Sequence, residues 1–161
     1  MTSDVPARPS AALVATWIVI AFLPALGAIG IAPGGWYAGL SSPPGTPPNW
    51  IFGPVWTVLY LSIGIASALV AALPAERRAR GWLVAAVIQL MLNAVWTPLF
   101  FGWHRPDLSL VVIGLLLIAI ITTIVLFWRT RPLAGQLLVP YALWVSYATY
   151  LNAGFVVLNH G

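Results

Sequence analysis

The chain has 161 residues, 61% of them hydrophobic and 6% charged, with a formal net charge of +4. Soluble domains are roughly half apolar and about a quarter charged, so water is excluded as the main solvent and the bilayer is expected in its place. Seven basic and three acidic side chains also exclude the dispersed basic face that nucleic acid requires, and the length implies one domain over residues 1–161.

The charges stand at Asp4, Arg8, Glu76, Arg77, Arg78, Arg80, Arg105, Asp107, Arg129 and Arg131, which leaves five long charge-free blocks. After a short tail over residues 1–10, these blocks predict apolar helices at about 11–31, 50–73, 82–101, 108–128 and 133–158. At about 1.5 Å rise per residue, helices of roughly 20 residues cross a ~30 Å hydrocarbon core. The expected fold is an all-α integral membrane protein, a five-transmembrane-helix bundle. Continuous apolar runs without strict alternation exclude a β-barrel. The first block is about twice the ~7–15 residues of a signal-peptide core, so it is expected to stay as a span.

Three connections are short, which implies antiparallel neighbours in a bundle. The segment 33–49, between the first and second spans, is different: five prolines and four glycines exclude regular helix. Its Trp36, Tyr37 and Leu40 are anchors that a disordered linker of this composition would lack. We therefore expect a lid folded over one mouth of the bundle, the competing reading being an interfacial aromatic belt. Six of the seven basic residues lie at the other end, in the tail and the links after spans two and four. The positive-inside rule then puts the N-terminus in the cytoplasm and points to a cytoplasmic (inner) membrane, with an outer membrane as the alternative.

No ionisable residue lies within the spans, which argues against an ion-coupled pump and removes the usual general acids and bases. His104 and His160 are isolated loop histidines, read as solvated. The lack of cysteine removes disulfides, thiolate catalysis and Cys-ligated metal, so no metal and no obligatory cofactor are expected.

Neutral polar groups and aromatics instead fall at helical spacing. Trp56 and Tyr60 are four apart; Gln89, Asn93, Trp96 and Phe100 share one face of the third span; Tyr141, Trp144, Ala148 and Asn152 share one face of the fifth. Amides in hydrocarbon need partners, so Asn93 and Asn152 should point inward, and Gln89 reads as interhelical glue. Small residues such as Gly64, Ala68 and Ala72 permit close packing, whereas indoles at Trp56, Trp96 and Trp144 would hold helices apart. A pocket lined by flat rings suits a planar, largely apolar ligand, and Pro24, Pro98 and Pro140 would kink their helices around it.

These residues resemble the tryptophan-rich sensory protein or translocator protein family. The likeness is carried by Trp36-Tyr37 with Leu40, by Pro43 and Pro47-Pro48 before Trp50 through Tyr60, by Asn93 through Phe101, and by Pro140 through Trp144 with Ala148 through Asn152. It implies a five-helix bundle, often a homodimer, that binds porphyrins, sterols and synthetic aromatic ligands under the first loop. It places Trp56, Tyr60, Asn93, Trp144 and Ala148 at pocket positions, with Trp36 and Pro48 from the lid. Together with the helical stripes, the expected ligand-binding set is Trp36, Pro48, Trp56, Tyr60, Asn93, Trp96, Phe100, Trp144, Ala148 and Asn152. Ser42 and Gly45 replace the lysine and aromatic of many relatives, which implies a looser lid, and the sterol pattern of animal relatives is missing after Asn152.

The function expected is a membrane-embedded binding protein, in the role of transporter or sensor, for porphyrin-type tetrapyrroles and related planar hydrophobic molecules. One alternative, implied by the resemblance, is an enzyme for light- and oxygen-dependent porphyrin breakdown through Trp56 and Trp144. The other is a structural or regulatory subunit with membrane lipid in its pocket.

Overall fold

Ser10 opens the first helix: its hydroxyl oxygen accepts the Leu13 N–H at 3.2 Å, an N-cap that satisfies one otherwise orphaned donor. The computed structural model describes residues 8–31 and 34–159, so Asp4, Pro33 and His160 lie outside the described residues. Helix α1 covers Ala11–Leu26, short of the residue 31 expected. Pro24 contributes no N–H near its end, and residues 27–30 continue as turns that close on Gly30 at φ +76°.

The lid contains one helical turn, α2 (Gly35–Ala38), and a 3₁₀ turn at Asn49–Ile51 leads into α3 (Phe52–Ala71). Helix α4 (Trp82–Thr97) widens at Pro98, where the Trp103 N–H reaches back five residues to the Pro98 carbonyl at 2.8 Å. Helix α5 (Pro106–Thr130) is the longest, and the last span is two helices, α6 (Pro132–Leu137) and α7 (Val139–Asn159). One continuous helix over 133–158 is thus corrected. Pro140 has no N–H to carry the ladder through, and Leu138 closes a turn onto the Gly135 carbonyl instead. Four segments, Asn49–Ala71, Trp82–Gly102, Pro106–Thr130 and Pro132–Asn159, are each long and apolar enough to cross a membrane. The 16 residues of α1 rise about 24 Å and rely on the following turns for more reach.

The helices close a ring in which α1 packs on α3 and α4, α4 on α5, α5 on α6 and α7, and α6 back on α3. The short link between α3 and α4 therefore does not make them principal neighbours, as its length had suggested. Helix α1 lies against both instead, because it fits α3 unusually closely. A Cβ at Gly64 would stand 2.6 Å from the Cα of Ile18. Only glycine permits that approach.

At the end opposite the lid, the Arg78 guanidinium donates to the carbonyls of Leu73 and Ala71 at 2.8 and 2.9 Å and lies 5.7 Å above the Trp82 ring. One of the arginines read from the sequence as a topology signal thus also caps the C-terminus of α3.

Candidate ligand site beneath the first loop

Indoles and amides at helical spacing meet in two tiers inside the ring. In the deeper tier, the Tyr60 hydroxyl donates to Asn93 Oδ1 at 3.0 Å, and Asn93 Nδ2 donates to the Tyr141 hydroxyl oxygen at 3.0 Å. Three helices are joined through one buried amide. The Trp56 ring lies 5.3 Å from Tyr60 and 6.1 Å from Tyr141, which closes this tier with aromatic edges and faces.

The upper tier is built on Asn152, which is 1% exposed. Its Oδ1 accepts from Trp96 Nε1 at 3.0 Å and from Ser109 Oγ at 2.9 Å, and its Nδ2 donates to the Pro106 carbonyl at 2.8 Å. Trp96 stacks on Phe100 at 5.5 Å, and Phe100 meets Phe155 edge-on at 5.6 Å. The amides predicted to point inward do so, and each is satisfied by protein.

The lid lies on this upper tier. Tyr37 packs against Phe100, Phe101 and Phe155, with centroids 5.3–6.2 Å apart. Burial pushes its phenol pKa above the ordinary value, so the hydroxyl stays neutral through the physiological range. Trp36 stacks on His104 at 4.3 Å with 17° between the rings, and meets Phe100 edge-on at 5.9 Å. His104, read from sequence as a solvated bystander, is exposed yet serves as the docking platform for the lid.

The second half of the lid is fastened along α7. Ser41 and Asn159 exchange two hydrogen bonds, at 2.9 and 3.0 Å. Pro43 is buried against Gly154, the Tyr150 hydroxyl donates to the Pro44 carbonyl at 3.1 Å, and the Tyr147 hydroxyl donates to the Gly45 carbonyl. Successive loop residues therefore descend α7 from Asn159 to Tyr147. The clasp uses mostly loop backbone, so it does not depend on the side chains replaced at Ser42 and Gly45.

Beneath the lid, Tyr37, Phe52, Trp96, Phe100, Phe101, Ala148, Leu151, Asn152 and Phe155 enclose only about 20 Å³. The roomy chamber expected from indoles holding helices apart is filled by the rings themselves, packed edge to face. Trp144 stands to the side, 6.0 Å from Phe52 and 5.9 Å from Tyr147. It lines an open apolar groove of about 580 Å³ between α3 and α7 with Pro54, Val55, Val58, Leu59, Pro140, Leu143 and Tyr147. Its indole N–H is buried and has no acceptor among the described residues.

Of the expected set, Trp96, Phe100, Ala148 and Asn152 gather under the lid, Trp36 belongs to the lid and docks on His104 and Phe100, Trp56, Tyr60 and Asn93 form the deeper tier, and Trp144 faces the side groove. Pro48 is exposed at the entry to the 3₁₀ turn. Trp50 and Trp103 are 73% and 71% exposed, so neither belongs to the ring cluster under the lid. Gln89 donates to the Ala86 carbonyl at 3.0 Å and leaves its own Oε1 unpartnered among the described residues. Sequence reasoning left Ser109, His104 and the Tyr147, Tyr150, Gly154, Asn159 clasp out of the site. The clasp alone had a signal, a near-helical stripe on the last span. Among the described residues no group of three His, Asp or Glu is placed to hold a metal.

The sequence profile of the TspO/MBR family matches residues 11–158. Similar proteins include Protein CrtK of Rhodobacter capsulatus, 41% identical over 138 residues that cover 85% of this chain and 86% of that one. Tryptophan-rich protein TspO of Chlorobaculum tepidum is 43% identical over 136 residues, 79% of this chain and 82% of its own. The human Translocator protein is 38% identical over 133 residues, 78% of this chain and 76% of its own.

Proposed function

Because the chain belongs to the TspO/MBR family, we propose that this integral membrane protein binds porphyrin-type tetrapyrroles and related planar hydrophobic molecules under its first loop. One observation carries the reading: a clasped loop covers a cluster of flat rings in which the Asn152 amide, the Trp96 indole N–H and the Ser109 hydroxyl are paired with one another. Flat rings offer stacking area without a fixed hydrogen-bond pattern, which suits a macrocycle with apolar faces. With about 20 Å³ free, the ligand enters only when the clasp releases and Tyr37 and Phe100 turn aside. The lid is therefore a gate, and transport and sensing are both uses of it.

Protoporphyrin titrated into the full-length protein in mild detergent, with tryptophan quenching as readout, tests this. Saturable quenching beyond that of empty micelles, weakened in Trp96→Phe, Trp56→Phe and Trp144→Phe, is the expected result. Equal affinity in all three variants refutes the site. Illumination of the bound complex under oxygen, with product formation measured, decides whether the protein also degrades the ligand. We further propose a homodimer in a cytoplasmic membrane with the arginine-rich end inside. The chain has no cysteine, so single cysteines placed at Ser42 and Ala79 report the sidedness directly.

A further inference from the structure

The arginine-rich end holds a feature unconnected with the lid. Between α4 and α5 runs an open groove of about 440 Å³ lined by Gly81, Val84, Ala85, Ile88, Ala119, Thr122 and Leu126. Its walls are two helical stripes, and both end in arginine. Arg80 precedes Gly81, and Arg129 lies three residues beyond Leu126, so it continues the stripe of Thr122 and Leu126 by one turn. The Ala79 N–H donates to the Thr130 hydroxyl oxygen at 3.1 Å, which fastens the link before α4 to the end of α5. That bond joins the neighbours of Arg80 and Arg129. Both arginines are exposed, and among the described residues neither has an acidic partner.

Two exposed arginines that continue the two walls of an open apolar groove, neither with an acidic partner among the described residues, are complementary to one class of molecule. We propose that the α4–α5 groove binds an anionic phospholipid, with an acyl chain along Val84, Ile88 and Thr122 and the phosphate between Arg80 and Arg129. Neutral phospholipid offers the same chain but no net negative charge, so the arginines select by headgroup. Arg78 takes no part, because its guanidinium already caps α3.

Native mass spectrometry of the full-length protein in mild detergent, titrated with phosphatidylglycerol and phosphatidylcholine of matched chains, tests the proposal. Two arginines at about 1 kcal/mol each near anionic lipid correspond to a preference of roughly 30-fold for phosphatidylglycerol. The double variant Arg80→Gln/Arg129→Gln should reduce that preference to within about threefold. Thr122→Trp, which fills the groove and keeps both charges, should weaken retention of both lipids. Arg105→Gln, at the lid end, should change nothing. Circular dichroism of each variant establishes that the helices are intact. No preference in the parent chain, a preference that survives the double variant, or undiminished retention in Thr122→Trp each overturns the proposal.

Discussion

Replacing Gly154 by alanine should open the lid without weakening the bundle. A Cβ at that position stands 2.6 Å from the Cβ of Pro43 and 2.9 Å from its Cγ, where carbon contacts settle at about 3.5–4.0 Å. Pro43 must retreat by about 1 Å. The proline is held between Ser41, paired with Asn159, and Pro44, whose carbonyl accepts from Tyr150, so both attachments stretch when it moves. A hydrogen bond of 2.9–3.1 Å lengthened by that amount is lost. Loss of these three bonds at about 0.5–1.5 kcal/mol each lowers the cost of lid opening by about 1.5–4.5 kcal/mol. The amide of Ser41, which donates to Asn159 Oδ1 at 2.9 Å, should then exchange its hydrogen at least roughly 10-fold faster, and up to about 2,000-fold if all three bonds count fully.

The same substitution favours α7 itself, since alanine is the better helix former by about 1 kcal/mol. Amides in the middle of α3 and α5 should therefore keep their protection, and the melting temperature should not fall. Hydrogen exchange followed by mass spectrometry on the full-length protein measures both regions in one experiment. If Ser41 exchanges at the parent rate, the loop accommodates the methyl and the clasp is not sterically set by Gly154. If lid and core lose protection together, the loop is part of the global fold and not a separable gate. Either result refutes the reasoning.

Three further substitutions probe the bundle. Gly64→Ala puts a methyl 2.6 Å from the Ile18 backbone and should force α1 from α3, costing about 1–3 kcal/mol and lowering the melting temperature in detergent. Asn152→Leu leaves the Trp96 indole N–H without its acceptor, while the Ser109 hydroxyl keeps the Pro106 carbonyl, and should cost about 1–3 kcal/mol, read in the same melt; Ser109→Ala, which removes one donor and keeps the amide, should cost less. Arg78→Gln uncaps α3 and should raise hydrogen exchange at Ala72 and Leu73 while leaving the lid amides unchanged.

Much of this is legible in the amino-acid sequence, for a physical reason. Spans are set by length and apolarity alone, so four of the five blocks match membrane-length segments to within two residues, while the first overruns its helix by five because Pro24 and Gly30 end it early. The inward direction of Asn93 and Asn152 is equally forced, because an amide facing hydrocarbon is costly. Partners are a different matter. Ser109 joins Asn152 across 43 residues and Trp96 joins it across 56, and no periodicity encodes which helix lies opposite. The same holds for the stack of Trp36 on His104, which exists only because the lid and the α4–α5 link share one end of the bundle. Helix order failed for a related reason: a short link limits distance, whereas a close-fitting surface such as Gly64 on Ile18 decides who packs against whom.

The two amide tiers also explain how a rigid bundle can carry a releasable lid. Tyr60, Asn93 and Tyr141 satisfy one another entirely within the spans, so the deeper tier holds α3, α4 and α7 together whatever the loop does. Asn152 is likewise satisfied by Trp96, Ser109 and the Pro106 carbonyl, none of which belongs to the loop. When the loop lifts, therefore, no buried amide is left without a partner, and the polar cost falls on Ser41, Pro44 and Gly45 and their α7 partners. Those residues are all exposed except Asn159, which is half-buried, and Tyr147, which lines the open groove. Water can replace what the clasp loses. The remaining cost of opening is apolar, chiefly the rings of Trp36 and Tyr37 on Phe100, Phe101, Phe155 and His104. A planar ligand that covers the same rings restores that contact in the open state, which is the differential interaction a ligand needs to shift the lid equilibrium.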